Sequence, residues 1–563
     1  MDAAPRSSAW ARYWPVLAVV AVVAAALGVG AALGGGSDGD GGDGDGGGGG
    51  GPVRPGDDPP ALAAFPGADP LDAPDCDPAT GRLAIPTLYA PDCLPLWEEG
   101  RDNGGETYAG VSEDEIVVAF YDGQDDPTAQ AIADDVTGGD TTDEETAANR
   151  LLVLEAYQAL YETYGRTIRL EVVDASGAND DDAAARADAI RVADDVGAFA
   201  VIGGPTGTNA YAEELAARGV LCLCTASQPI ERYEAWAPYV WGGLMASTQA
   251  YVHRADYVTE RLAGQPAEFA GDPAMHGEER TFGVVYYETA DGAYESGVDF
   301  FEDRLADGGV ELTERIPYIL DLPRAQEDAA TTVARLKDAS VTSVIVAGDP
   351  FFPIYLTEEA TAQDYRPEWI ITGSTGTDAS ALARQYDQEQ WAHAFGISLL
   401  VARVDPEADV DETNIVSWYH DEELESYPNI FDFGRLFMGL HLAGPDLTPE
   451  TFRDGLFSYD GTSGYATLFG SSYGGELWPW VDYLATDDVT EIWWDPEAEG
   501  QDEAEVDGRG LYRYANEGRR YMPGEIASSS AVPFDEEGTV TLFPEIPEGD
   551  RPPTYERRTS REG

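Results

Sequence analysis

Lysine is almost absent from this chain. Lys337 is the only one in 563 residues, and lysine and arginine together number 33 against 105 aspartates and glutamates, a net charge of −72. The lone lysine follows VARL and not a glycine-rich loop, which excludes a Walker A phosphate site and leaves no candidate for a Schiff base. A surface this acidic repels phosphate backbones and anionic lipid, so it argues against nucleic-acid and peripheral-membrane partners. Histidine is scarce too. The five, His253, His276, His393, His420 and His441, include no pair at i, i+4 and no cysteine–histidine cluster with zinc spacing. No metal site and no cofactor are expected.

The enzyme motifs fail on the same scarcity. GSSYG at 470–474 matches the G-x-S-x-G nucleophile elbow, which needs a strand before the serine and a helix after it. The following residues read GELWPW, and no histidine occurs after His441, so the serine, acid, histidine order of that fold is impossible. GGPTG at 203–207 lacks the full dinucleotide fingerprint and sits on the third strand of its series. No enzyme is expected.

Cysteines number four. Cys76 and Cys93 bracket a turn-rich stretch and are expected to form a disulfide, which fits an exported chain. Cys222 and Cys224 alternate with Leu221 and Leu223, so both project from one face of a strand, where they read as reduced, small apolar side chains.

What the chain does have is apolar punctuation. Val16 to Leu33 is almost wholly valine, alanine, leucine and glycine, a length near the minimum for a spanning helix. Arg6 and Arg12 precede it, which places residues 1–13 in the cytoplasm and the bulk of the chain outside, whether 14–34 is a transmembrane anchor, the favoured reading, or a cleaved signal. Residues 35–75 read as a disordered Gly/Asp tether, spanning on the order of 35 Å. Its Asp-Gly alternation has neither the terminal glutamate of an EF-hand nor the apolar position of the nonapeptide calcium repeat.

Beyond the tether, short apolar runs recur. EIVVAF, TIRLEVV, FAVIGG and VLCLC fall between 115 and 225; TFGVVYY, VELTERI, VTSVIVAG and EWIITG fall between 281 and 373. A parallel strand, its crossover helix and the return need about thirty residues, so these spacings predict two α/β series with buried parallel strands. Val153, Tyr157, Leu160 and Tyr164 advance by four, three and four along a predicted helix, and so do Tyr251, Ala255, Val258 and Leu262. Open parallel sheets bind ligands at the carboxyl ends of their strands. The turns there are GGPTGTNAYAEE, CTASQP, GDPFFP and GSTGTD, whose hydroxyls also suit plain helix caps.

The strand order, GGPTGTNA at 203–210, CTASQP at 224–229, YETADGAYESGVDFF at 287–301 and HLAGPDLTPETFRDGLF at 441–457 together resemble the type I periplasmic binding proteins. The branch typified by leucine/isoleucine/valine-binding proteins of ABC importers is the nearest. The resemblance implies two Rossmann-like parallel-sheet lobes joined by a three-crossing hinge, preceded by the N-terminal transmembrane or signal helix. It gives 76–243 and 396–460 as the first lobe, 244–395 and 461–530 as the second, and 531–563 as a loose tail. Crossings are expected near 240–247, 394–402 and 458–478.

The implied function is capture of a small polar solute, of branched-chain amino acid, amide or carboxylate type, for permease subunits in the membrane, by a monomer or weak oligomer. The rival is a ligand-binding sensory module acting with a separate membrane partner. The positions that match the family's ligand contacts are Thr206, Gly207, Thr208, Thr225, Ala226, Ser227, Tyr294, Phe351, Phe352 and Thr375. At Thr375 this chain departs from the acidic residue that meets an amino acid's ammonium, with Asp349 and Asp378 as possible substitutes.

Overall fold

The computed structural model describes residues 54–123, 143–205, 207–225, 228–288, 294–321, 323–374, 376–405, 408, 414–422, 424, 427, 429–503 and 506–561. The apolar run at 14–34 and the tether up to residue 53 lie outside these. Among the described residues no helix is long and apolar enough to cross a membrane.

After a small antiparallel pair, β1 (Cys76–Asp77) and β2 (Arg82–Leu83), the two predicted series form two sheets. The first holds β3 (Glu115–Asp122), β4 (Thr167–Asp174), β5 (Ala200–Ile202), β6 (Leu221–Thr225) and β7 (Val240–Gly242), all parallel, in the order β4-β3-β5-β6-β7. The second holds β8 (Phe282–Tyr287), β9 (Leu312–Tyr318), β10 (Ser343–Ala347), β11 (Glu368–Ile371) and β12 (Ala394–Ser398), parallel in the order β9-β8-β10-β11-β12. The central runs AVI, SVIVA and EWII are buried throughout. Strands covered by helices on both faces need such unbroken apolar character.

The second sheet is larger than the sequence suggested. β13 (Val489–Gln501) pairs antiparallel with β12, and β14 (Asp507–Tyr514) and β15 (Arg520–Tyr521) pair with β13. Along β13, Ile492, Trp493 and Trp494 are all buried, because one face meets the helix Ser247–Tyr257 side of the sheet and the other meets Trp391 and Tyr512.

Both predicted helical stripes face the core. Val153, Tyr157 and Leu160 are buried on the helix Asp143–Leu160, and Tyr164 stays buried just past its end. Tyr251 and Ala255 lie on the helix Ser247–Tyr257, and Val258 and Leu262 on the turns that continue it.

Several boundaries differ from those expected. The second lobe keeps β12 through Ser398, so the first lobe resumes only with the helix Ile415–His420, which packs on Asp143–Leu160. Residues 461–484 belong with the first lobe: Tyr473, Tyr483 and Leu484 join its core, and Gly242 N donates to Tyr483 O at 3.1 Å. The last crossing is therefore at 485–488, not near 458–478.

Residues 54–75 are folded and not tether, because Ala61 and Phe65 bury themselves against Leu94 and Tyr164. The tail is not loose either. Val540 pairs with Tyr514 and Phe543 with Val404, on the second lobe. Asp550 then accepts from the Ala466 and Thr467 amides, and Arg561 reaches Asp75, Glu162 and the Leu94 carbonyl on the first. Charge complementarity, invisible in a proline-rich tail read alone, fixes it there.

Cys76 and Cys93 form the expected disulfide, with Cα atoms 5.4 Å apart. Cys222 and Cys224, read as reduced, are also joined to each other. Alternation put both sulfurs on one face; a register shift between β6 and β7 from Cys222 to Thr225 accompanies a Cα separation of 5.0 Å, within disulfide reach.

Candidate ligand-binding cleft

Each sheet reverses its winding once. The chain lays β4 on one side of β3 and returns to place β5 on the other; it does the same with β9 and β10 around β8. At such a switch point the connections diverge and leave a crevice outside the carboxyl ends of the strands. The two crevices share one hinge. Residues 243–246 leave the carboxyl end of β7 for the start of the helix Ser247–Tyr257, and 399–414 leave the carboxyl end of β12 for the start of Ile415–His420. Residues 485–488 enter β13 opposite the end of β12, with Ser398 paired to Thr490. All three crossings thus tie one carboxyl edge to the other, and the sheet edges face each other across the hinge.

The hinge is densely bonded. Ala485 N and an Arg435 terminal nitrogen both donate to Gly242 O, and Thr486 Oγ1 donates to Gly243 O. His253 Nε2 meets the Asp487 carbonyl at 2.8 Å, and its ring sits edge-on to Trp478. Burial holds the His253 imidazole down to about 4 and pushes the Asp487 carboxyl up to about 6. Ser472, the serine of GSSYG, donates to Asp487 Oδ2 at 2.7 Å and not to an imidazole. It is a hinge residue and not an activated nucleophile.

On the first lobe the expected contacts close on themselves. Gly207 N donates to Asn179 O at 3.1 Å, and a side chain at Gly207 would strike Asn179 and Asp180. Thr208 Oγ1 donates to Asp182 and accepts from Ala210 N at 3.1 Å, capping the helix Ala210–Ala217. Thr225 ends β6. Thr206, Ala226 and Ser227 lie outside the described residues. Near the end of β3 the Arg150 guanidinium lies 3.6 Å from the Phe120 ring centroid.

The second lobe's edge is aromatic and charged. Tyr294 precedes the helix Glu295–Asp307, its amide donates to Glu288 Oε1 at 2.9 Å, and burial pushes its hydroxyl up to about 12. The Tyr287 ring sits 5.4 Å from Tyr294 and 6.0 Å from Tyr318. Phe351 is half-buried at the start of the helix Phe352–Ala362, whereas Phe352 stacks on Tyr318 at 3.9 Å inside the core and has no face for a ligand. Thr375 lies outside the described residues. Neither suggested acidic substitute is open. Asp349 accepts from the Phe351 and Phe352 amides and the Tyr318 hydroxyl, and Asp378 accepts from Ser398 Oγ and Leu399 N; burial raises both carboxyls.

Two residues of this edge escaped the sequence reading. Glu288 directly follows β8 and is nine-tenths buried; its place at a strand end was the available signal. Arg254 belongs to a helix buried on nearly every side, and a charge within that run was the other. Away from the hinge, a recess of about 310 Å³ lined by Glu106, Tyr108, Ser112 and Val117 sits at the amino edge of β3.

No protein-family model matches the chain. No curated protein matches it either. Solved structures with a similar fold are ABC transporter solute-binding proteins. One from Sphaerobacter thermophilus is 13% identical with a TM-score of 0.49, covering 73% of this chain and 98% of that one. One from Rhodopseudomonas palustris BisB5, in complex with 3,4-dihydroxybenzoic acid, is 13% identical with a TM-score of 0.46 over 73% and 98%. A branched-chain amino acid transporter substrate-binding protein from Streptococcus pneumoniae, in complex with isoleucine, is 12% identical with a TM-score of 0.42 over 71% and 100%.

Proposed function

We propose that this chain is an extracytoplasmic solute-binding protein of an ABC importer, which closes its two lobes on a small polar solute and delivers it to permease subunits in the membrane. One observation carries the reading: among the described residues three crossings join the carboxyl edges of two parallel sheets, so the hinge they form is also the floor between the two switch-point crevices. A ligand touching both edges stabilises the closed arrangement by its differential affinity for it, which is what couples capture to shape. Cys76–Cys93 and Cys222–Cys224 suit an oxidising compartment, and the apolar segment at 14–34 would display the lobes on the outer face of the membrane.

Within the cleft, Tyr294, Tyr287 and Phe351 would cover the apolar part of the solute, while the first-lobe turns, in the region of Thr206, Thr225 and Ser227, would close over it from the opposite side. A dissociation constant of about 1 μM, near −8 kcal/mol, suits a scavenger of this kind.

The test is a panel of amino acids, amides and carboxylates read by thermal shift and calorimetry, with small-angle scattering of the best hit. Saturable binding with compaction, and recovery of the solute unchanged, is the expected outcome. Conversion of the solute, or absence of binding across the panel, sinks the reading.

A further inference from the structure

Six arginines of the described residues are more than nine-tenths buried: Arg166, Arg254, Arg280, Arg435, Arg520 and Arg561. Four are matched by a carboxylate. Arg280 pairs with Glu368 at 2.7 Å, Arg435 with Asp432 at 2.9 Å and Arg520 with Asp488 at 2.8 Å, and Arg561 pairs with both Asp75 and Glu162. Arg166 has none but donates to four backbone carbonyls, those of Asn103, Gly105, Ser112 and Pro445.

Arg254 has no carboxylate partner and only one backbone carbonyl among the described residues. Its Nε donates to Thr372 O at 3.0 Å, and its guanidinium carbon lies 4.8 Å from the Tyr251 ring centroid, close also to the Tyr251 hydroxyl. No carboxylate of the described residues lies within 4 Å. Asp378 lies beyond that distance, its Oδ2 accepting from Ser398 Oγ and Leu399 N. A guanidinium carries five donors, and an uncompensated buried charge is among the most costly features a fold can hold. Burial accordingly lowers the Arg254 pKa.

Its position tells what would compensate it. Thr372 is the first residue past β11, so the guanidinium sits at the carboxyl edge of the second sheet. Tyr251 ties it to the switch-point wall. Its ring packs on Gly297 and lies 5.6 Å from the Phe301 ring, both on the helix Glu295–Asp307 that Tyr294 precedes. We infer that Arg254 receives the carboxylate of the ligand, and that the class of ligand is a small organic anion whose apolar or aromatic body lies against Tyr294 and Tyr287. The planar fork of arginine matches a carboxylate in two parallel hydrogen bonds, and in a site closed from water that pairing is strong. This rests on the solute-binding function proposed above and narrows it. On this reading the second lobe selects the charged head.

The full chain, its Arg254→Gln variant and its Arg254→Lys variant decide the matter with matched pairs of probes: benzoate and benzamide, phenylacetate and phenylacetamide, isovalerate and isovaleramide. In the wild type at least one acid is expected to bind at least tenfold more tightly than its amide. Arg254→Gln should erase that ratio while keeping the far-UV spectrum of the free protein and leaving its melting temperature equal or higher. Arg254→Lys, which keeps the charge but not the fork, should retain part of it. The acid-to-amide ratio in the wild type is decisive by itself should the glutamine variant fail to fold. Equal binding of acid and amide by the wild type, or an unchanged ratio in Arg254→Gln, overturns the inference. Binding of neutral or cationic solutes only overturns it and leaves the binding function standing, whereas no binding by any solute of the wider panel overturns both.

Discussion

The two carboxyl edges are built on opposite plans. On the first lobe the described residues that follow β5 bond to their own lobe: Gly207 is hydrogen-bonded to Asn179 and Thr208 to Asp182. On the second lobe the equivalent edge holds three tyrosines, a buried glutamate and a buried arginine. A closed, capped turn presents backbone in a fixed geometry and reads little beyond shape. Buried charge and aromatic surface read chemistry, because a wrong partner leaves a desolvated group unmatched. On the proposed function, selectivity would therefore belong to the second lobe, with the first serving as a rigid counter-face.

Substitutions that loosen one lobe at a time break the comparison, most visibly at Arg280. Its guanidinium is bidentate to Glu368, which is fully buried and also accepts from Ser343 Oγ and Phe269 N. Arg280→Ala strands that carboxylate, at a cost of about 3–5 kcal/mol. Urea unfolding followed by the tryptophans should show the second lobe melting early, and a single unshifted transition would refute the assignment. On the first lobe, replacing both Cys76 and Cys93 by serine removes a link across 17 residues. In the chain-entropy model that costs about 3 kcal/mol. The loss should appear in the first lobe's transition and leave acid binding intact.

Much of this was legible in the sequence, for particular reasons. EIVVAF, SVIVA and EWII are continuous because buried parallel strands have no wet face, and the four-three-four spacing of Val153, Tyr157, Leu160 and Tyr164 has no other use than a buried stripe. The tail and the 54–75 segment were not legible. Their anchors, Arg561 with Asp75 and Glu162, are separated by hundreds of residues, and pairing at that distance has no local signature. Arg254 was missed for a related reason. A helix-face pattern counts apolar positions and passes over the one charge among them. Phe352 failed the other way: an aromatic at a strand end reads as ligand-facing until Tyr318 is seen stacked upon it.

Between the lobes, the hinge combines opposed titrations. His253 is held down to about 4, so below its ordinary value near 6.5 the unfolded chain binds the extra proton and stability is lost as pH falls from about 6.5 to about 4. Asp487 is pushed up to about 6, so the native state holds the extra proton, and stability is lost as pH rises from about 3.8 to about 6. The two slopes oppose each other across most of that window. The buried Asp482 carboxyl beside Asp487 is raised well above the usual range and adds a falling slope of its own. Asp487→Asn removes one of the two falling slopes, so its melting temperature should climb more steeply than the wild type's from pH 4 to pH 6. Parallel profiles would show that the hinge carboxyl does not titrate in this range.

The smallest effect sharpens the comparison most. Thr208→Ala removes a cap of the helix Ala210–Ala217, and such a cap contributes about 1 kcal/mol. If the first lobe's turn gripped the solute through this hydroxyl, the variant would also weaken binding at least tenfold. The Thr208 Oγ1 already donates to Asp182 and accepts from Ala210 N, which leaves one acceptor lone pair and no proton for a ligand carboxylate. The melting temperature should therefore drop by a few degrees while the dissociation constant for the best acid stays within about twofold. A tenfold loss of affinity would return selectivity to the first lobe and undo the division of labour argued from its closed turns.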